Sequence, residues 1–426
     1  MQKVAEFNFE QHPHLKDAII SFSKEVTYAS ILQSNNYEDA YGKYEFMAAI
    51  GAERVLGSNK DSFEQLISFY QEKDSWLFGH FSYDLKNQIE KLESQNRGNF
   101  DFDELCFFEP QYLFLQKRGQ KKITVHLSAS ASSEKLNELV AASKARLSLN
   151  SDKLSAFTAR QSKEEYIDSI LELKKHIQFG DIYEINYCTE FYNESVEIDP
   201  ITLYKKLNVI SPMPFSAFYK SRQDYLLCAS PERFVRKVGR KIVSQPIKGT
   251  VKRGSEPKDD LLRKHELRND LKEQTENVMI VDLVRNDLSK TAEKSSVKVE
   301  ELFGVYTFPQ VHQLISTVSS FLKEDVHFVD AVKSAFPMGS MTGAPKIEAM
   351  KIADRLEKSK RELYSGSVGY IDPQGDFDFN VVIRSLTYNM DRQFLSFLVG
   401  GAITNLSDPE KEYEECLLKA KAIFEL

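Results

Sequence analysis

The sequence predicts an α+β chain built on a large, mostly antiparallel sheet system with helices around it. Three observations carry that expectation. Short, aromatic-rich, strand-like runs fill residues 1 to about 125, and from about residue 158 onward strong helix signals alternate with further strand runs. No internal repeat and no low-complexity segment breaks the pattern.

The elements follow in chain order. Trp76-Leu77-Phe78 and Gln111 to Leu115 read as strands. Residues 129 to 153, rich in Ser, Ala and Lys, read as a surface helix running into a linker, Ser-Leu-Asn-Ser-Asp. The change of texture divides the chain into residues 1–150 and 155–426. Ser162 with Glu165 forms a capping box ahead of Ile167, Ile170 and Leu171. Strands are expected at Tyr225 to Ala229, Tyr364 to Ile371, Val381 to Tyr388 and Phe394 to Leu398. Gly343-Ala-Pro opens a helix with Ile347, Met350 and Ile352 beneath it. Ser407-Asp-Pro supplies a cap and an N1 proline for a last helix through about Phe424.

Composition excludes several classes of function. The chain has 426 residues, 42% of them hydrophobic, and 56 − 63 gives a net charge of −7. That balance argues against a nucleic acid or an anionic membrane as partner. An anionic substrate would have to be met by a few local cations. No basic start leads into an apolar stretch, so no signal peptide is expected, and no apolar run approaches the roughly 18–20 residues of a membrane span. Cys106, Cys188, Cys228 and Cys416 lie far apart, which suits reduced thiols in a cytoplasmic protein better than a zinc site.

Two helical segments carry paired carboxylates. Glu273 and Glu276 stand three apart in Leu271 to Leu283, and Glu412 and Glu415 repeat the spacing near the C-terminus. Two such helices could hold a hard cation, and Mg2+ suits them because it keeps several waters and bridges to anionic ligands. By spacing alone, however, such a pair is usually just a solvated helix face.

Seven stretches, in order over about 260 residues, resemble the chorismate-utilising enzymes: Gly180-Asp-Ile-Tyr-Glu-Ile-Asn, Ala229-Ser-Pro-Glu-Arg-Phe, Pro246-Ile-Lys-Gly-Thr, Glu276-Asn-Val-Met-Ile-Val-Asp-Leu-Val-Arg-Asn-Asp, Gly339-Ser-Met-Thr-Gly-Ala-Pro-Lys, Tyr364-Ser-Gly-Ser-Val-Gly-Tyr and Val382-Ile-Arg-Ser-Leu. Ser34-Asn-Asn-Tyr and Gly79-His-Phe-Ser-Tyr-Asp-Leu extend the likeness more loosely into the N-terminal region. That family comprises the component I subunits of anthranilate and aminodeoxychorismate synthases and the isochorismate and salicylate synthases. The resemblance implies an anthranilate synthase component I-like fold, with the N-terminal region intertwined with the catalytic one around a deep central site. It implies Mg2+ held by Glu276 and Glu415, with Glu273 and Glu412 nearby, gripping the substrate's ring carboxylate. It further implies substrate contacts from Arg384, whose fork suits a carboxylate, from Tyr364, Ser340 and Lys419, and from a carboxylate-holding loop at Gly400 and Gly401. His312 matches the family's active-site histidine, although a lone histidine on an apolar helix face is, by itself, a structural feature.

Within the family, Lys248 resembles the lysine of the members that aminate chorismate at C4 to give 4-amino-4-deoxychorismate for 4-aminobenzoate and folate synthesis. Anthranilate synthases usually carry alanine there. An amine adding at C2 could expel the C4 hydroxyl through the diene, and ammonia could then attack C4 and expel the lysine. Lys248 must be neutral to do this, and burial with Lys252 and Arg253 beside it is expected to lower its pKa. Glu232 matches the general acid for the leaving hydroxyl. Glu184 departs from the pattern: the water-using members have a base lysine here and the amine-using members usually a glutamine. No cysteine nucleophile elbow is visible, and the resemblance implies that ammonia comes from a separate glutamine amidotransferase subunit. The rivals are anthranilate synthase component I and a catalytically silent chorismate-binding partner.

Overall fold

A computed structural model describes residues 1–144 and 154–426. The expected helix of the Ser/Ala/Lys-rich stretch is present as Ser133–Ala142, while the linker after it falls outside the described residues. Among the described residues, twenty strands form one hydrogen-bonded network, and every pairing in it is antiparallel.

The network has two limbs that share the long strands Tyr44–Ser58 and Leu105–Lys117, which pair along most of their length. One limb runs from Tyr28–Gln33 through Phe215–Ser221, Asp224–Ser230 and Ser385–Asn389 to Phe394–Ile403 and Glu184–Asn193. The other runs from Leu77–Phe81 through Ser367–Ile371, Phe377–Asn380, Arg233–Val238 and Lys241–Gln245 to Val311–Phe321. Strands from residues 1–150 thus pair directly with strands from residues 155–426 at two places.

Side-chain alternation explains the layering. In Asp224–Ser230, Leu226 and Cys228 enter the core between the two limbs, while Tyr225, Leu227 and Ala229 enter a second core beneath helices. The strand is buried on both faces, so it reads as a continuous apolar run. A third core lies under Ser62–Gln71, Leu271–Ser289 and Phe328–Ala335 on the outer face of the second limb. The architecture is therefore helix, sheet, sheet, helix. Each fully buried Leu or Phe contributes about 1.5–3 kcal/mol to holding these layers together.

Local signals placed the elements with small offsets. Lys163–Phe179 opens on the capping box of Ser162 and Glu165, with both hydrogen bonds made. Lys346–Leu356 follows Pro345 and buries Met350 and Ile352, but Ile347 is solvent-facing. The last helix is divided at Ala420 into Pro409–Lys419 and Lys421–Phe424. Two strands begin later than their apolar runs, at Ser367 and Ser385. The reason lies in the backbone: Ser365 (φ 62°) and Arg384 (φ 52°) are left-handed and cannot continue an extended strand. No helix among the described residues is long and apolar enough to cross a membrane, and all four cysteines are free and buried.

Candidate functional site

A cavity of about 840 Å3 opens between the first limb, Leu271–Ser289 and Pro409–Lys419. Both acidic helices arrive with their caps formed. Asp270 accepts from the backbone N–H of Lys272 and Glu273, and Asp408 accepts from that of Lys411 with Pro409 at the first helical position. Each first turn is thereby fixed at the cavity edge, and Glu273, Glu276, Glu412 and Glu415 all line it. Glu276 and Glu412 are buried, Glu273 is half-buried and Glu415 is exposed, so each pair turns one member inward.

Burial pushes the Glu276 carboxyl up to about 7, against the opposing pull of Lys248. Its Oε1 is buried with no hydrogen-bond partner among the described residues, and Lys272 Nζ stands 3.7 Å away. Burial likewise raises Glu273 and Glu412. Glu415 is held below its usual value by Lys419, 2.8 Å away. Lys272 reports the shared field: burial opposes its charge, yet Glu276, Glu412, Glu273 and Glu415 together hold its pKa above the ordinary value. Lys272 thus lies in the field of all four carboxylates, and Glu276 has an acceptor to spare. The donor set therefore fits a hard cation, although no three acidic groups among the described residues converge to ligating distance.

The opposite wall carries the polar groups. Lys248 projects from Ile247–Lys252 and donates to Glu184 Oε1 at 2.6 Å; both side chains are buried. Glu232, in the turn after Asp224–Ser230, does not line this cavity itself but meets its wall through Ser340, whose Oγ donates to it at 2.6 Å; burial pushes it up to about 7 against the pull of Lys248 and Arg384. Arg384 is half-buried at the cavity wall, and desolvation there lowers its pKa to about 10 with Glu232 opposing. Its left-handed backbone is a sparsely populated conformation for a residue with a Cβ, of order 1–3 kcal/mol in cost, and aims the guanidinium inward. Tyr364 and Ser340 border the same space.

Four expectations need correction. Gly400 and Gly401 lie within the strand Phe394–Ile403 and not in a loop. A Cβ at Gly400 would stand 2.2 Å from the Tyr187 carbonyl oxygen, so that glycine answers to strand packing. The carbonyl of Gly400 accepts from Lys419, and Gly401 faces Glu412 and Lys419. His312 is on a strand, Val311–Phe321, and not on a helix. There the period of two points Val311 and Gln313 into the cavity and His312 away from it. Both ring nitrogens of His312 are engaged, by Thr307 Oγ1 at 3.0 Å and Asp260 Oδ1 at 2.9 Å. Arg253 pairs with Asp260, and neither it nor Lys252 lowers the pKa of Lys248. Burial does pull Lys248 down, but Glu184, Glu276 and Glu232 outweigh it and hold the ammonium above its ordinary value.

Two residues at the site and one pairing escaped sequence reasoning. Gln313 could have been found from strand alternation, and Lys272 from its i, i+4 spacing to Glu276. The pairing of Glu184 with Lys248, 64 residues apart, has no local signal.

Fold and site together define a deep cavity with four glutamates on one side and Lys248 and Arg384 among the cations on its wall. The chain belongs to the chorismate binding enzyme family, which it matches over residues 18–425. It is 34% identical over 345 residues to aminodeoxychorismate synthase component 1 of Klebsiella aerogenes, covering 81% of this chain and 75% of that one. It is 43% identical over 269 residues to the probable chloroplastic aminodeoxychorismate synthase of Oryza sativa subsp. japonica, a match that covers 62% of this chain and 30% of the rice protein. Among solved structures, anthranilate synthase component I from Streptococcus pneumoniae TIGR4 superposes with a TM-score of 0.79 over 91% of this chain and 93% of that one, at 24% identity.

Proposed function

We propose that this chain aminates chorismate at C4, as the synthase subunit that makes 4-amino-4-deoxychorismate for 4-aminobenzoate and folate synthesis, with ammonia delivered by a separate glutamine amidotransferase subunit. The observation that carries the reading is Lys248, buried at the cavity wall within the field of Glu184, Glu232 and Glu276. A buried lysine with an adjacent proton acceptor is a nucleophile in waiting.

In this reading Arg384 receives a substrate carboxylate bidentately. Glu276 and Glu415, with Glu273 and Glu412 beside them, would hold Mg2+, which supplies positive charge toward the substrate's ring carboxylate. Lys248 Nζ bonds to C2, the diene shifts, and the C4–O bond breaks. Glu232, at about 7, is protonated in a large fraction of molecules near neutral pH and gives its proton to the departing hydroxyl, which leaves as water. Ammonia then bonds to C4, the C2–Nζ bond breaks, and the proton released from the new C4 ammonium restores Glu232. Ser340 holds Glu232 in place for both halves. The four free cysteines suit a reducing compartment, and we assign the chain to the cytoplasm.

The test is product identity. Purified chain with chorismate, Mg2+ and an ammonium salt should yield aminodeoxychorismate, and Lys248→Ala should yield far less. Intact-protein mass spectrometry without ammonia should show a chorismate-derived adduct in the wild type that Lys248→Ala lacks. Anthranilate as the main product, or C4 amination undiminished in Lys248→Ala, overturns the reading.

A further inference from the structure

Lys248 cannot attack carbon while it is an ammonium, and in this site three carboxylates keep it one. Glu184 bonds to it from Glu184–Asn193, whereas Glu276, on Leu271–Ser289, and Glu232, in the turn before Arg233–Val238, act on it only through their fields. Their placement differs. Glu232 is engaged by Ser340. Glu276 faces Lys272 on the acidic rim. Glu184 alone among the described residues is hydrogen-bonded to Nζ, at 2.6 Å. It is 1% exposed, and its other oxygen, Oε2, is buried with no donor among the described residues. No water reaches this carboxylate in bulk, and among the described residues no second cation bonds to it.

We infer that Glu184 is the proton acceptor that frees Lys248: it takes a proton from Nζ as substrate fills the cavity and holds it until Nζ is released. The inference rests on the proposed nucleophilic role of Lys248. An ion pair at this separation is favoured over the neutral amine and carboxylic acid chiefly by solvation. Substrate entering the cavity removes that solvation on the Nζ side, and the neutral pair becomes accessible without any movement of heavy atoms. The proton count closes. Lys248-NH3+ and Glu184-COO− become Lys248-NH2 and Glu184-COOH. Nζ bonds to C2 and, having used its lone pair, carries the positive charge as a secondary ammonium. When ammonia takes C4 and the C2–Nζ bond breaks, Nζ leaves as the neutral amine and recovers its proton from Glu184. Glu232 serves only the C4 oxygen and the C4 nitrogen, so the two carboxyls never exchange tasks.

Glutamine at this position would keep the hydrogen bond and lose the acceptor, which makes Glu184→Gln a near-isosteric test. Single-turnover mixing with chorismate and Mg2+, without ammonia, is followed by intact-protein mass spectrometry across pH 6.5 to 9. Wild type should form the Lys248 adduct readily at neutral pH. Glu184→Gln should bind chorismate within about threefold of wild type but form the adduct about 100-fold more slowly near pH 7.5, the size of a lost general base. Its rate should climb with pH, because Nζ must then lose its proton to solvent. Glu184→Asp should recover part of the rate, and this variant keeps the test alive if the glutamine variant folds poorly. Steady-state C4 amination by Glu184→Gln/Lys248→Ala should be no slower than that by Lys248→Ala alone. An adduct formed by Glu184→Gln at the wild-type rate with the wild-type pH profile overturns the inference and leaves the lysine nucleophile standing. Loss of chorismate binding in Glu184→Gln and Glu184→Asp alike also overturns it, in favour of a purely structural ion pair. No adduct in wild type, with full C4 amination by Lys248→Ala, removes the lysine nucleophile itself.

Discussion

Replacing Glu276 with Gln should stabilise the ligand-free protein, and by an amount that depends on pH. Burial raises this carboxyl from the usual 4.5 to about 7, a difference of about 2.5 units. At about 1.36 kcal/mol per unit, the ionised form costs the folded state about 3 kcal/mol once pH exceeds 7. The sign is that of a raised acid: below 4.5 both states hold the proton and nothing is lost, and stability then falls as pH climbs through 7. The glutamine amide never ionises, so the variant should melt a few degrees higher than wild type at pH 8 and close to it at pH 5. The assay is thermal unfolding without metal at the two pH values, repeated with millimolar Mg2+. If Mg2+ is held here, it should stabilise the wild type more than the variant, and turnover of the variant should collapse. A variant that melts lower than wild type at pH 8, or by an equal shift at both pH values, would refute the buried-charge reasoning. Wild-type turnover in Glu276→Gln that EDTA still abolishes would place the metal elsewhere.

The remaining predictions test the wall, the strand and the ammonia supply. Arg384→Lys keeps the charge and loses the fork, so kcat/KM for chorismate should fall by about 10- to 100-fold, the value of one to two charge-assisted hydrogen bonds, measured by initial rates. Gly400→Ala drives a Cβ toward the Tyr187 carbonyl, 2.2 Å away, and should cost about 1–3 kcal/mol or more in urea unfolding; an unchanged midpoint would show that the strand can shift. His312→Gln should leave kcat/KM within about threefold of wild type, because the ring faces Asp260 and not the cavity; a loss of 100-fold would put it back in the chemistry. Ammonium salts should support C4 amination by the isolated chain, whereas glutamine should not until an amidotransferase subunit is added, as a product assay with each nitrogen source will show.

What the sequence by itself determined is whatever depends on neighbours within one turn or one strand. The capping box at Ser162 and Glu165, the Asp408–Pro409 helix start, and the i, i+3 carboxylate pairs are local, and the apolar runs placed their strands to within a few residues. The family motifs likewise named Lys248, Glu232, Arg384 and the acidic helices as one constellation. The tertiary structure decided everything that hangs on which face of an element turns inward and on what it meets there. In Val311–Phe321 a register one residue different would have sent His312 into the cavity and Gln313 out of it, and only the pairing with Ile247–Lys252 and Lys298–Thr307 fixes that choice. Burial of Glu232 and Glu276, which lifts both to about 7, is likewise a property of the packed layers and not of the residues beside them. Lys248 shows the division most plainly. Its chain neighbours Lys252 and Arg253 foretold a lowered pKa, and the fold brought Glu184 to 2.6 Å and reversed the sign. Coulomb energy follows distance in space, and a separation of 64 residues along the chain sets no distance until the strands have paired.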